Sequence, residues 1–376
     1  MSKKIFIAGA GGIGRAAGLI LSEFDKADYT VTLGDISRAS LDEAVNFVTD
    51  GNTRGRKAEG YMMSTDGDDT VLARDLESYA VVLDCLPGSQ APRMARLAKD
   101  AGCHYANLTE YVAETNEIMQ MADGADTAFV LQTGLAPGFI NVLAMQLFAD
   151  FKAIHRVDSV QRISMKVGAL SQHVSGPHHY AFTWSPIGVA TEYIKDAIIV
   201  KSGTTTSVTA LSGVETHVID GITYEDNYTS GGAADLPEAL AGKVEDLEYK
   251  TLRYPGHYAW VAEQLKDLGG ENIDGLERRM LDEIPMVEDD VVIVYASVTG
   301  KDHNGTLRMI DKAYSIKPSK VGNRILRAIQ STTAAPLCEM AHQMAEGKYK
   351  GLVLQSQVDP MDFLNGVFVK PIYGAY

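Results

Sequence analysis

Two stretches of this 376-residue chain carry residue types at spacings suited to chemistry. The first, IFIAGAGGIGRAAGLILSE, spaces Gly9, Gly11 and Gly14 as G-x-G-x-x-G between a strand-like apolar run and an amphipathic helical pattern. There the first glycine permits a tight turn, the second lets a pyrophosphate approach the backbone, and the third lets helix and strand pack closely. Gly12 and Ile13 fall at the helix start, where free amides and the helix dipole favour a phosphate. The next apolar run ends in TLGDIS, which places Asp35, followed by Ile36, about 20 residues beyond the glycine turn. A carboxylate at that point accepts both hydroxyls of an adenosine ribose and repels a 2′-phosphate. The expected cofactor is therefore NAD, with NADP less favoured although Arg38 stands nearby.

The second stretch is TLRYPGHYAW, from Thr251 to Trp260. Arg253 offers a planar fork for a substrate carboxylate, on a turn that Pro255 and Gly256 are expected to hold exposed. Its other reading is an ion pair with Glu248 or Glu263. His257 is the candidate catalytic base, because an imidazole exchanges protons near neutrality and a helix start keeps it neutral. The alternative is a structural hydrogen bond at that helix start. Tyr254 can supply a hydroxyl and Trp184 of FTWSP a pocket wall, or either can be core. His173, His178 and His179 lack partner cysteines and an HxxxH spacing, so no metal site is expected from them.

The elements that must position these groups follow from the pattern. Up to about residue 138, short β-branched runs alternate with helical periods: strands at Lys4–Ala8, Tyr29–Leu33, YAVVLDCLPG and around Tyr105, helices at Ile13–Phe24, from Ser40, and at Ala91–Ala101. That alternation implies an α/β fold with a doubly wound parallel sheet. Its carboxyl ends are expected to line the cofactor cleft, which makes Cys85, Leu86, Pro87, Asn107 and Thr109 candidates beside the nicotinamide. Cys85 follows an apolar run and reads as packing. Beyond residue 138, VQRISMKVGAL alternates as a half-buried strand, and KDHNGT between two β-rich runs reads as a hairpin turn. This second region reads as an α+β domain with a mixed sheet, and from Ile325 the chain reads as helical.

Composition bounds the partners. A formal charge of −15 with no basic run argues against nucleic acid. No apolar run approaches a membrane span. Three scattered cysteines without a CxxC pair fit a reducing compartment, and the chain reads as cytoplasmic.

Several segments in order resemble the saccharopine dehydrogenase family, which includes lysine 6-dehydrogenase and carboxynorspermidine synthase: the glycine turn, TGLAPGFINVLA, FTWSPIG, TSGG…LPEALAGKV, YKTLRYPGH and TTAAPLCEMAHQM. The resemblance implies a Rossmann NAD-binding domain at 1–138 completed by C-terminal helices at 325–376, and an inserted substrate and dimerisation domain at 139–324. It implies NAD-linked oxidation of a carbon bearing an amine on a small amino-acid substrate, with imine hydrolysis, in a homodimer. It also adds Gly232 of TSGG to the substrate-binding candidates. Two departures stand out: no arginine occurs from Thr223 to Gly242, and Asn107 replaces a common aspartate. The specific reaction therefore stays open among saccharopine dehydrogenase, lysine 6-dehydrogenase and carboxynorspermidine synthase, and a non-catalytic NAD-sensing protein is the reading from a different class.

Overall fold

The computed structural model describes residues 3–24, 29–64, 67–174 and 176–376. In chain order the first elements are β1 (Lys3–Ala8), α1 (Gly12–Phe24), β2 (Tyr29–Asp35), α2 (Arg38–Gly51), β3 (Glu59–Met62), α3 (Thr70–Leu76), β4 (Val81–Asp84), α4 (Ala91–Asp100), β5 (His104–Asn107), α5 (Val112–Ala122) and β6 (Ala128–Val130). Next come α6 (Phe139–His155), β7 (Val160–Ser171), α7 (Pro186–Ile194), β8 (Ala197–Lys201), β9 (Thr204–Val208), β10 (Glu215–Ile219), β11 (Ile222–Tyr228), α8 (Leu236–Leu240), β12 (Val244–Arg253), α9 (His257–Asp267) and α10 (Ile273–Glu283). The chain closes with β13 (Asp290–Lys301), β14 (Leu307–Ile316), β15 (Ser319–Val321), β16 (Arg324–Leu326), α11 (Ala328–Ala345), β17 (Gly351–Val353), α12 (Pro360–Leu364) and α13 (Lys370–Tyr373). Two compact units result, one of Met1–Phe139, Ser319–Leu326 and Gln330–Tyr376, the other of Ile140–Pro318 and Arg327–Ile329.

The first unit holds a seven-stranded sheet in the order β17-β6-β5-β4-β1-β2-β3, parallel throughout. Ile5, Phe6 and Ile7 are fully buried, as are Val81, Val82 and Leu83, because helices cover both faces of such a sheet. Each buried side chain of this kind contributes roughly 1.5–3 kcal/mol. The strand order reverses between β1 and β4, and at that point a doubly wound sheet opens a crevice at its carboxyl edge. Two details differ from the sequence reading. Helix α2 is capped by Ser37, whose Oγ accepts from the Ser40 amide at 3.3 Å, so Ser40 lies inside the helix. The tail, read as helical, also supplies β17 beside β6; three residues are too few to show a period.

The second unit is built on an eight-stranded mixed sheet in the order β10-β11-β12-β7-β13-β14, with β8 on β12 and β9 on β8. Only β12 and β7 run parallel among these neighbours. Ile163, Met165 and Val167 of β7 line one face as the alternation requires, but Ser164 and Lys166 on the other face are buried as well. Charge pairing explains the difference. Lys250 of β12 lies in register with Lys166, and both ammonium groups pair with the fully buried Asp226 of β11. The Asn304-Gly305 turn does join a hairpin, β13 to β14, and the Asp302 carboxylate fastens it by accepting from the Asn304 and Thr306 amides, each at 2.9 Å.

Candidate active site

The glycine turn of the first unit is shaped by what a side chain would strike. A Cβ on Gly14 would stand 1.9 Å from the Gly9 carbonyl oxygen, and one on Gly9, at φ +98°, would stand 2.8 Å from the Cys85 carbonyl. These two glycines let strand, turn and helix close on each other. Gly11 differs, since its Cβ would meet nothing within 4 Å. That open space at the start of α1, beside Gly12 and Ile13, is where the backbone can receive a pyrophosphate. Gln330 of α11 reaches the same turn, donating from Nε2 to the Gly12 carbonyl at 3.1 Å. No local signal marked it, because 318 residues separate the pair.

Asp35 ends β2 with its carboxylate oriented by the backbone. Oδ2 accepts from the Ala10 amide at 2.9 Å and Oδ1 from the Ser37 amide at 2.8 Å. The adjacent Ile36 is exposed. Arg38 is also exposed and pairs with Asp42 at 2.9 Å on the next turn of α2.

Cys85, Leu86 and Pro87 follow β4, and Asn107 and Thr109 end or follow β5, so all five lie at the carboxyl edge of the sheet. Asp84 orders the first group: one oxygen accepts from the Leu86 amide at 3.0 Å, the other from the Tyr105 hydroxyl at 2.8 Å. Burial raises the Asp84 carboxyl to about 6 against these hydrogen bonds. Burial likewise pushes the Cys85 thiol up, which agrees with packing and opposes a nucleophilic role. Asn107 accepts from the Gln132 amide at 2.9 Å, and Thr109 Oγ1 accepts from the Tyr111 amide at 3.3 Å. The two side chains therefore shape the loops after β5 and β6.

In the second unit, Arg253 and His257 meet through a residue that sequence reasoning missed, Tyr193 of α7. Arg253 Nε donates to Tyr193 Oη at 2.6 Å, and that oxygen lies 2.9 Å from His257 Nε2. His257 Nδ1 is 2.8 Å from the His178 carbonyl. The turn expected to be exposed is exposed only at Pro255. Arg253 is 1% exposed, because it ends the central strand β12 and its guanidinium lies over the rings of Tyr180 and Tyr193, at 4.7 and 5.5 Å from their centroids. Neither Glu248 nor Glu263 pairs with it. Glu248 is taken by Arg162 on the opposite face of the sheet, and among the described residues Arg253 forms no ion pair.

His257 departs from the expectation of an accessible base. It is fully buried, both ring nitrogens are engaged, and burial together with the Arg253 charge lowers its pKa to about 3. Tyr254, just past the end of β12, stacks on Tyr224 with centroids 5.7 Å apart and spends its hydroxyl on the Ser171 carbonyl at 2.9 Å. Gly232 leaves room for the Tyr249 ring, 2.2 Å from where its Cβ would stand, and its carbonyl accepts from Asn141. Trp184 is partly buried against Gly188 of α7 and the aromatic cluster around Tyr193. The structure thus joins Arg253 and His257 through Tyr193 to one aromatic cluster that also holds Trp184 and Tyr254, while Gly232 packs against Tyr249.

One further group carries ligand-type atoms. Glu215, His217 and Asp226 bring theirs within 4.8 Å of one another. Lys250 lies 2.9 Å from Glu215 and 3.3 Å from Asp226, and Lys166 also contacts Asp226. Burial opposes ionisation of Asp226, but the His217 hydrogen bond and the Lys166 charge outweigh it and hold the carboxyl at about 2. The two ammonium groups balance these carboxylates.

Comparison with known proteins adds the following. The model of the saccharopine dehydrogenase NADP binding domain matches residues 5–129, and that of the saccharopine dehydrogenase C-terminal domain matches residues 134–369. The mitochondrial alpha-aminoadipic semialdehyde synthase of Rattus norvegicus is 25% identical over 193 residues, covering 48% of this chain and 20% of that protein. Its Mus musculus counterpart is 25% identical over 136 residues, covering 36% of this chain and 14% of its own. The matches thus span a fifth or less of these relatives. Among solved structures, the L-Glu-forming saccharopine dehydrogenase of Saccharomyces cerevisiae superposes with a TM-score of 0.76 at 16% identity, covering 99% of this chain and 98% of the other. The homospermidine synthase of Legionella pneumophila, solved with NAD, gives 0.68 at 13% identity, covering 100% and 90%. Both structural likenesses are likenesses of fold.

Proposed function

The chain belongs to the saccharopine dehydrogenase family, a family of oxidoreductases with a nicotinamide dinucleotide-binding domain, and from that premise we propose that it oxidises the C–N bond of an amino-acid-derived amine with NAD. The observation that carries the substrate side of this reading is Arg253, a buried guanidinium that feels the charge of the buried Glu192 but forms no close ion pair among the described residues. A buried charge without a close counter-ion is costly, and two tyrosine faces with the charge of Glu192 farther off compensate it only in part. A substrate carboxylate completes the pairing. Arg253 Nη1 donates to the Leu252 carbonyl at 2.9 Å, and no hydrogen bond from Nη2 occurs among the described residues, so the Nη2 side of the fork can receive it.

The cofactor side rests on the glycine turn and Asp35. Gly11 leaves the backbone open to a pyrophosphate, and Asp35, held by two amides, presents its remaining lone pairs to ribose hydroxyls. A fixed carboxylate repels a 2′-phosphate, which favours NAD over NADP. When bound, the nicotinamide supplies a two-electron hydride acceptor. The protein's own tasks are to hold the substrate by its carboxylate, to admit it with its amine neutral, and to admit water, which splits the resulting C=N bond into a carbonyl compound and an amine. Substrates in this class are saccharopine, lysine and carboxynorspermidine. The test is Arg253→Lys, which keeps the charge and removes the fork. KM for the carboxylate-bearing substrate should rise tenfold or more while NADH affinity stays unchanged; equal KM values would remove Arg253 from the substrate contact.

A further inference from the structure

The hydrogen bonds that run through Arg253 admit one arrangement of protons. At the far end, the His178 carbonyl can only accept, so His257 Nδ1, 2.8 Å away, carries a proton. The ring stays neutral at ordinary pH, because burial and the Arg253 charge oppose a second proton. Nε2 is therefore a bare acceptor, and the Tyr193 hydroxyl at 2.9 Å donates to it. With its proton so committed, Tyr193 turns a lone pair toward Arg253 Nε at 2.6 Å. The opposite tautomer would send the hydroxyl proton toward Nε–H and set donor against donor.

We infer that Tyr193 and His257 are positioning residues: the chain from the His178 carbonyl through His257 and Tyr193 to Nε sets the plane of the Arg253 guanidinium and the edge it offers to a substrate carboxylate. The inference rests on the proposal that Arg253 is that contact. Three elements meet to make the chain. Tyr193 comes from the last turn of α7, His257 is the first residue of α9, and Arg253 is the last of β12. The groups facing the imidazole are Arg253, Tyr180, Tyr193, Tyr258 and Trp260, with His178 and His179 close by, and the buried Glu192 carboxylate acts on Arg253 and the three tyrosines. Neither Tyr193 nor His257 acts on the reacting atoms, which separates this role from that of a general base.

The first test needs no substrate. Long-range 15N–1H spectra of the histidine rings should show His257 neutral and protonated on Nδ1 from pH 5 to 8; protonation on Nε2, or titration within that range, would overturn the inference. The second test uses Tyr193→Phe, which strips Arg253 Nε and His257 Nε2 of their partners. KM for the amino-acid substrate should rise about tenfold or more, with kcat changed only a few-fold, since a lost hydrogen bond to a charged group is worth roughly that ratio. His257→Gln, which keeps an acceptor for Tyr193, should leave the acidic limb of the kcat/KM profile where it is; loss of that limb would make His257 a base and overturn the positioning role. If Arg253→Lys raises KM but Tyr193→Phe does not, the positioning inference fails and the Arg253 reading stands. If Arg253→Lys leaves KM unchanged while the spectra agree, the Arg253 reading fails and the hydrogen-bond chain stands.

Discussion

Asp35→Asn probes cofactor choice with a change of a single charge. In the folded chain both carboxylate oxygens accept backbone amides, from Ala10 at 2.9 Å and Ser37 at 2.8 Å. An asparagine keeps one of these bonds and sets its NH2 against the other amide, at a cost of about 1–2 kcal/mol. NADH affinity should fall about tenfold, since the ribose also loses a charged acceptor. For NADPH the balance reverses. Unit charges 4 Å apart repel by about 1 kcal/mol in water and about 4 kcal/mol near a protein surface, so relieving a 2′-phosphate of a facing carboxylate returns roughly 2 kcal/mol or more. Arg38, exposed and paired with Asp42, can then turn to the phosphate. The NADPH-to-NADH affinity ratio should rise by roughly a hundredfold, as 1.4 kcal/mol is a factor of ten. Fluorescence titration of wild type and variant with both reduced cofactors measures it. A ratio unchanged within about threefold, or a wild type that prefers NADPH, would refute the reasoning from Asp35.

Other substitutions separate folding from binding. Gly11→Val should leave thermal stability nearly intact and abolish NADH binding, whereas Gly14→Ala, with a Cβ 1.9 Å from a carbonyl oxygen, should lower Tm before binding can be read. Asp84, raised to about 6 in the fold, ionises near 4 when unfolded, so its stabilising contribution is complete below about pH 4 and is lost as pH rises through about 6. Asp84→Asn should remove that loss, on the order of 3 kcal/mol, seen as a flatter urea midpoint between pH 4 and 7.5. Asp226→Asn leaves Lys166 and Lys250 buried with their shared counter-charge removed, and should cost about 3–5 kcal/mol in urea unfolding at neutral pH.

The sequence showed most clearly what is local. The glycine turn, Asp35 and the ends of β4 and β5 lie within short strand-turn-helix units whose residue types follow from backbone geometry, so the doubly wound sheet was legible before any coordinates. The Asn304-Gly305 hairpin was legible for the same reason. What escaped depends on distant partners. Tyr193 is 60 residues from Arg253, and nothing in TEYIK marks its hydroxyl as the link to His257. Lys166 alternates as a solvent-facing residue, and the approach of Asp226 from 60 residues away offsets the cost of its burial. The setting of Arg253 was misread because only Pro255 of the turn is exposed, while Arg253, two residues before it, still belongs to a central strand.

The most direct measurement is NADH formation at 340 nm, at alkaline pH, with saccharopine, lysine and carboxynorspermidine each offered to the full chain. Oxidation needs the amine neutral, and an amine titrates near about pH 10, so the rate should climb with pH toward that value. One of the three should reduce NAD and yield a carbonyl product in equal amount. Binding of NADH with no oxidation of any of the three above background would contradict the proposed amine oxidation and favour a chain that senses the cofactor without using it.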